Sequence, residues 1–179
     1  MTIAPISDGR ARRVLIGTVG GQGGGVLSQW LVSGLLKAGW NARSTGLLGL
    51  SQRAGTVTYY CEAYPGIATE FVPSMYATPG DVDLVLAQEL LELGRILSQG
   101  FASENASIVG NSARYLTTRE KMPAENGIYD YKIIEKAVRC LAPDRHYVFD
   151  AQKHAVEAGL SPLSSNAVLL GAAVASPAF

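Results

Sequence analysis

Six glycines lie within nine residues near the start of the sequence, at positions 17, 20, 21, 23, 24 and 25. An apolar, β-branched run at residues 13–19 precedes them and an apolar stretch without turn residues follows at 26–38, so the pattern predicts a strand, a glycine loop and a helix. Such a loop gathers backbone N–H groups at the positive end of a helix dipole, which favours an anion. Gln22 adds a side-chain donor and acceptor there. The simpler interpretation is a tight turn between strand and helix.

The glycine spacing does not match either of the common nucleotide-binding loops. A dinucleotide fingerprint requires a glycine three residues after Gly23, where this sequence has Val26. No acidic residue ends the second extended segment at residues 43–48, and Arg43 is its one NADP-like feature. No Lys-Ser or Lys-Thr pair follows the glycines, which excludes a phosphate-loop NTPase. A dinucleotide-binding Rossmann domain is therefore the weaker alternative.

A second polar turn consists of Ser51, Gln52, Arg53, Ala54 and Gly55. It lies between an extended segment at residues 41–48 and an alternating one at 56–63. Ligands of open α/β sheets bind at the carboxyl ends of the strands, so we expect this turn to meet the glycine loop. Arg53 would then place a two-pronged cation beside the backbone N–H groups, which suits a carboxylate or phosphate. An ion pair between Arg53 and a partner subunit is the alternative.

Strand and helix patterns alternate through the rest of the chain. We therefore expect a three-layer, Rossmann-like α/β fold, with an open, mostly parallel sheet and helices on both faces. Residues 1–12 would form a tail before a single domain at 13–179. The helices at 26–38 and 166–175 are too apolar for free surfaces, which predicts a homodimer or a heteromeric complex. The remaining predicted elements are strands at 82–87, 106–110 and 146–149, and helices at 89–99, after Asp130 and after Asp150.

Composition removes several classes of function. Fifteen basic and fifteen acidic residues give zero net charge, which argues against nucleic acid as a partner. No apolar run reaches the length of a membrane helix and no secretory signal is evident, so we expect a cytoplasmic protein that does not interact with membranes. Cys61 and Cys140 are too few to hold an iron–sulfur cluster, and we expect no metal site and two core or half-buried thiols.

Taken together, the motifs resemble one enzyme family over residues 13–175. The pattern GTVGGQGGG at 17–25, SQRAG at 51–55, Asp150-Ala151, Asn166 and Leu170-Gly171 is similar to the gamma-type domain of pyruvate and other 2-oxoacid:ferredoxin oxidoreductases. Within that family it most resembles the beta subunit of the indolepyruvate type. The family often has an aliphatic residue where this chain has Gly24 and Gly25, which suggests a more mobile loop. Related chains commonly continue past the last helix, so a C-terminal truncation is also expected.

The resemblance implies a role in a larger enzyme. That enzyme would oxidatively decarboxylate an arylpyruvate, specifically indolepyruvate, to an acyl-coenzyme A while reducing ferredoxin. Thiamine diphosphate and iron–sulfur clusters would belong to a partner subunit or domain, and this chain would complete the active site while binding no cofactor alone. A non-catalytic assembly or binding module is the competing interpretation. We identify no catalytic residue, and the candidates for binding substrate or coenzyme A, or for the interface, are Gly20, Gly21, Gln22, Gly23, Ser51, Gln52, Arg53, Gly55 and Asn166.

Overall fold

The computed structural model describes residues 9–48, 55–66, 72–113 and 129–179. These residues form a six-stranded sheet and five α-helices. The strands are β1 (Arg12–Val19), β2 (Trp40–Leu48), β3 (Thr56–Pro65), β4 (Val82–Ala87), β5 (Ala102–Asn111) and β6 (His146–Phe149). The helices are α1 (Gly24–Lys37), α2 (Leu90–Ser98), α3 (Tyr131–Leu141), α4 (Ala151–Glu157) and α5 (Ser165–Ala175), with a 3-10 turn at Pro162–Ser164 before α5.

The sheet has the strand order β2-β3-β1-β4-β5-β6. Neighbouring strands from β1 through β4 and β5 to β6 are parallel, whereas β3 is antiparallel to both β1 and β2. β2 therefore runs in the same direction as β1, and β3 is the one reversed strand of the described sheet. A parallel β2–β3 pair would need a crossover of about a dozen residues, and residues 49–55 are too few. The predicted open, mostly parallel sheet is confirmed.

Helices cover both faces of the sheet, as the three-layer prediction requires. Val14 and Ile16 of β1 point to one face and pack with Leu27 of α1, while Leu15 points to the other face and packs with Leu93 of α2. α4 and α5 share the face of α1, and α3 shares the face of α2. This alternation along one strand gives each face its own apolar core. β1 is consequently buried on both sides.

The divergence of two helices defines the place where a ligand can enter this fold. β1 and β4 are adjacent and parallel, but α1 leaves β1 toward one face and α2 leaves β4 toward the other. The space between their carboxyl ends is here called the switch crevice. Open α/β sheets bind their ligands in such a crevice, because no helix covers the strand ends there.

Two details of burial differ from the sequence analysis. Five apolar residues after Asp130 are spaced to share one helix face (Ile133, Ile134, Ala137, Val138 and Leu141), but only Ile134 and Val138 of them are buried, whereas Ile133 and Leu141 are more than half exposed. The contact with α2 is narrow, because Ile134 lies directly against Gly94 and fills the space beside it. Cys140, expected to be at least half-buried, is exposed on the outer side of α3.

Candidate functional site

The glycine loop connects β1 to α1 at the switch crevice. Gln22 closes the loop on itself, since its Oε1 accepts a hydrogen bond from Val19 N (2.9 Å) and its own backbone N donates to Val19 O (3.1 Å). Gly21 and Gly23 have φ angles of +94° and +78°, a left-handed conformation that glycine adopts without steric cost. Gly20 and Gly21 are exposed, so the outer surface of the loop faces solvent.

Gly24 and Gly25 lie inside α1, so the helix begins two residues earlier than predicted. A Cβ on Gly24 would approach Thr18 Cγ2 to 2.5 Å and the Tyr59 ring to 3.0 Å, and one on Gly25 would approach Tyr59 Oη to 3.1 Å. The ring of Tyr59 also leaves only 3.0 Å for a Cβ on Gly46. These glycines therefore allow α1 to start close to the sheet. They support helix packing, where the sequence had suggested a looser loop.

Gly55, the described residue directly before β3, contacts the glycine loop. Gly20 N donates a hydrogen bond to Gly55 O at 2.9 Å, directly beyond the last β1–β3 pair of Val19 and Thr56. Gly55 is thus a neighbour of the loop. The other candidates of this turn, Ser51, Gln52 and Arg53, lie outside the described residues.

Asn166 reaches the loop from α5, far away in sequence. Its Nδ2 donates to Gln22 O at 3.2 Å and contacts Gly23 O at 3.4 Å. Gln88, which follows β4 and is 3% exposed, donates from Nε2 to the same Gln22 oxygen at 3.0 Å and also to Asn166 Oδ1. The structure therefore brings Gln22, Gly23 and Asn166 together. The sequence analysis missed Gln88, because a single carboxamide after a strand resembles an ordinary polar strand end.

The carboxamides of Asn111 and Gln152 extend this cluster to the end of β5 and the start of α4. Asn111, the last residue of β5, is 2% exposed, and its Nδ2 lies 3.3 Å from Gln88 O and 3.4 Å from Gln152 Oε1. Its Oδ1 accepts from Ala151 N at the start of α4 (3.0 Å). Neutral amides can thus link the ends of β4 and β5 to α4 without placing a net charge in the crevice.

The helices differ in how their N-termini are capped. Glu89, Asp130 and Asp150 cap α2, α3 and α4, and each carboxylate accepts hydrogen bonds from first-turn N–H groups. The N-cap of α1 is Gly23, which has no side chain to offer, and the first turn of α1 has no acidic residue. The N-terminus of this fourteen-residue helix therefore keeps its positive end without side-chain neutralisation. The exposed residues before it, Gly20 and Gly21, have no Cβ atoms that could obstruct an anion.

A separate cavity of about 320 Å³ lies beside α2, away from the glycine loop. Arg95 in its wall is bonded to Glu92 (2.9 Å), Thr58 (2.9 Å) and Gln99 (3.0 Å), which leaves its guanidinium largely committed to the fold. We assign no ligand to it. Among the described residues, no three His, Cys, Asp or Glu side chains are grouped to hold a metal ion, and no described helix is long and apolar enough to cross a membrane.

Comparison with known proteins shows the family to which the chain belongs. Residues 13–179 match the model of the family described as pyruvate ferredoxin/flavodoxin oxidoreductase. The chain belongs to this family. The resemblance inferred from the glycine loop and the SQRAG turn is confirmed, and it places the chain among the subunits of 2-oxoacid:ferredoxin oxidoreductases.

The chain is similar to two curated relatives that have the same name. The chain is 29% identical to indolepyruvate oxidoreductase subunit IorB of Pyrococcus horikoshii and 28% identical to the protein of the same name from Thermococcus kodakarensis. Each match extends over 169 residues, which is 93% of this chain and 78% of the relative. The similarity therefore includes nearly all of this chain.

Solved structures share the fold at lower identity. Pyruvate oxidoreductase subunit PORC of Thermotoga maritima has a TM-score of 0.59 at 17% identity, over 92% of this chain and 75% of that chain. The gamma subunit of a keto/oxoacid ferredoxin oxidoreductase from Geobacter sulfurreducens has a TM-score of 0.56 at 15% identity, over 92% and 76%. A 2-oxoglutarate:ferredoxin oxidoreductase from Magnetococcus marinus has a TM-score of 0.53 at 12% identity, over 88% of this chain and 23% of that longer chain.

Proposed function

We propose that this chain completes the active site of a cytoplasmic arylpyruvate:ferredoxin oxidoreductase, and that its glycine loop receives an anionic group of coenzyme A or of the 2-oxoacid. The N-terminus of α1, which no side chain caps and which directly follows the glycine loop with its exposed Gly20 and Gly21, is the observation that carries this proposal. Backbone N–H groups at such a helix end bind phosphate or carboxylate without a charged side chain. The preference for indolepyruvate is supported by the names of the two relatives.

The proposed assembly converts a 2-oxoacid and coenzyme A to an acyl-coenzyme A, carbon dioxide and one proton, while the two released electrons reduce ferredoxin. Thiamine diphosphate and iron–sulfur clusters, held by other subunits, would supply the decarboxylation and electron-transfer chemistry. The residues of this chain would bind an anion, orient it and exclude water from it. No described residue is offered as an acid, a base or a nucleophile.

Coenzyme A fits the crevice in its chemistry. Its phosphates need donors and little side-chain bulk, and Gly20, Gly21 and Gly23 provide a backbone without Cβ atoms at the opening. The carboxamides of Gln22 and Asn166 hold this backbone in place, since both are hydrogen-bonded within the loop and its neighbours. The solved relative from Magnetococcus marinus contains coenzyme A and succinyl-coenzyme A, which supports the same ligand class here.

Calorimetric titration of the full chain tests the ligand directly. Coenzyme A and its fragment 3′,5′-ADP should both bind, whereas pantetheine, which has no phosphate, should not. Binding of none of the three, and of no 2-oxoacid, by a chain that still assembles with its partner would favour the non-catalytic assembly module. Preferential binding of NADP⁺ would instead favour the dinucleotide-binding alternative.

A second test concerns the division of labour between subunits. The purified chain alone should be colourless and should not turn over any 2-oxoacid, and activity should require a thiamine- and cluster-containing partner. A visible iron–sulfur absorption band, or turnover by this chain by itself, would contradict the proposal.

A further inference from the structure

The orientation of the glycine loop depends on two side chains that the proposed reaction does not otherwise use. The carbonyl oxygen of Gln22 accepts from Gln88 Nε2 (3.0 Å) and from Asn166 Nδ2 (3.2 Å). Gln88 also donates to Asn166, so the two carboxamides brace each other. Two donors from different parts of the fold thus converge on one backbone oxygen.

Because the Gln22–Gly23 peptide is trans, holding the carbonyl oxygen of Gln22 also fixes the direction of the Gly23 N–H. In a trans peptide, the N–H points away from the side on which the carbonyl oxygen lies. Because the Gln22 oxygen points toward Gln88 and Asn166, the N–H of Gly23 points to the opposite side of the loop. The Gly23 N–H lies directly before the first turn of α1. Its direction therefore determines whether it can bind the same anion as the first N–H groups of that helix.

The roles of donor and acceptor in the pair are fixed by their surroundings. Reversing the Gln88 carboxamide would place its oxygen against the Gln22 carbonyl and against Asn166 Oδ1, which are both acceptors. The observed orientation instead leaves Gln88 Oε1 buried without a hydrogen-bond partner among the described residues. A buried acceptor in this state is unusual in proteins. The fold therefore leaves Gln88 Oε1 without a partner, while Gln88 Nε2 and Asn166 Nδ2 both donate to the carbonyl oxygen of Gln22.

Gly23 is fitted to the same clamp. A Cβ at this position would lie 2.8 Å from Asn166 Nδ2, so any side chain would displace the donor. Asn111 supports the arrangement from below, with its Nδ2 at 3.3 Å from the backbone oxygen of Gln88. Uncharged carboxamides therefore connect the glycine loop, the ends of β4 and β5 and the start of α5.

We infer that Gln88 and Asn166 are positioning residues that hold the Gln22–Gly23 peptide with its N–H toward the bound anion. This inference rests on the proposed function for the anion, but the clamp itself concerns the ligand-free loop. The pair would act through the backbone and need not touch the ligand. Its loss would change the direction of a donor and leave the charge of the site unaltered.

Full-length chain labelled with ¹⁵N-glycine provides the test. Gln88→Met removes both donors at similar volume and without a charge, so the amide signals of Gly21 and Gly23 should shift while that of Gly171 stays. Affinity for coenzyme A should fall roughly tenfold, as expected for one or two lost hydrogen bonds. Gln99→Met, the same exchange at the exposed C-terminal end of α2, should change neither the signals nor the affinity.

Asn166→Asp provides a second variant in case Gln88→Met does not fold. It replaces the donor to Gln22 O by a carboxylate oxygen, which the carbonyl oxygens of Gln22 and Gly23 repel, while a carboxylate in the first turn of α5 favours the helix. Only its loop signals are compared, because an added charge would itself repel an anion. Unmoved loop signals in both variants, or displaced loops with unchanged affinity for coenzyme A, would overturn the inference. Displaced loops in a chain whose wild type does not bind coenzyme A would support the clamp and reject the proposed ligand.

Discussion

Gly23 combines a left-handed backbone with a tight contact, and the two effects can be separated by substitution. Gly23→Ala should lower the free energy of unfolding by about 1–2 kcal/mol for the backbone alone, and further because its Cβ displaces Asn166. Gly39→Ala has a similar φ of +83° with no atom within 4 Å of the added Cβ, so it reports the backbone cost alone. Urea unfolding measures both, and equal losses would show that the contact with Asn166 is unimportant.

Arg53 carries the prediction that concerns a side chain of the SQRAG turn. Arg53→Lys keeps the charge but loses the two-pronged donor, so use of substrate or coenzyme A by a reconstituted complex should weaken by roughly 1–3 kcal/mol. Steady-state kinetics with each substrate varied in turn measures this loss. Unchanged kinetics together with weaker subunit assembly would show that Arg53 belongs to the interface.

Cys61 gives the fold an alkaline sensitivity. Burial, with a smaller contribution from the negative charge of Glu62, raises the pKa of the Cys61 thiol from 9.0 to about 12. The unfolded chain therefore loses this proton first as the pH rises, and stability should decline from about pH 9 toward pH 12, at about 1.4 kcal/mol per pH unit for this group. Urea unfolding at about pH 8 and pH 10 should show a shallower decline in Cys61→Ala, with Cys140→Ala as the control for loss of an exposed thiol.

At the scale of the element, two glycines of α1 should respond to alanine with opposite signs. Gly34 is exposed within the helix and has no atom within 4 Å of an added Cβ, so Gly34→Ala should stabilise the chain by about 0.8–1.0 kcal/mol. Gly24→Ala should destabilise it by about 1–3 kcal/mol, because the methyl group would lie 2.5 Å from Thr18 and 3.0 Å from Tyr59. Thermal melting of both variants checks the signs, and a stabilising Gly24→Ala would show that α1 can move away from the sheet.

Most element boundaries were predictable because local signals coincide with them. The strands Val82–Ala87 and His146–Phe149 have the predicted bounds, and Asp130 and Asp150 cap the helices they were expected to cap. The start of α1 was misplaced because glycine is usually a loop residue, and the close contacts of Gly24 and Gly25 with Thr18 and the Tyr59 ring explain helical glycines there. Local patterns do not contain such distant contacts.

The site was partly predictable for the same reason. Motif and strand geometry were sufficient to bring Gly20 and Gly55 together. Gln88 and Asn111 were missed, because a single carboxamide after a strand has no spacing that distinguishes it from an ordinary polar end. Their importance arises from β4 and β5 lying next to each other, which is a property of the strand order.

At the scale of the whole molecule, the helices on the α1 face of the sheet leave several apolar side chains exposed. The outer surface of α1 exposes Val26, Trp30 and Leu36 by 45–51%, and α5 has no charged residue along its length. Gln29, Ser33 and Lys37 form an exposed polar stripe along α1, but the apolar residues beside it are also uncovered in the single chain. Trp30 lies one helical turn from Val26, near the glycine loop, so a partner that covered this surface would also border the switch crevice.

The exposed face of α1 predicts association. The chain should form a homodimer or a heteromeric complex, and Trp30→Glu should weaken that association. The melting temperature of the single chain should stay unchanged, because a side chain that is 46% exposed contributes little to its core. Ile133→Glu is the matched control, since it places the same charge on a residue that is 57% exposed on α3, on the opposite face. Sedimentation velocity of the chain alone and after co-expression with its partner subunits distinguishes the variants. A wild-type chain that stays monomeric at high concentration and recovers no partner would contradict the prediction, as would equal weakening by both substitutions.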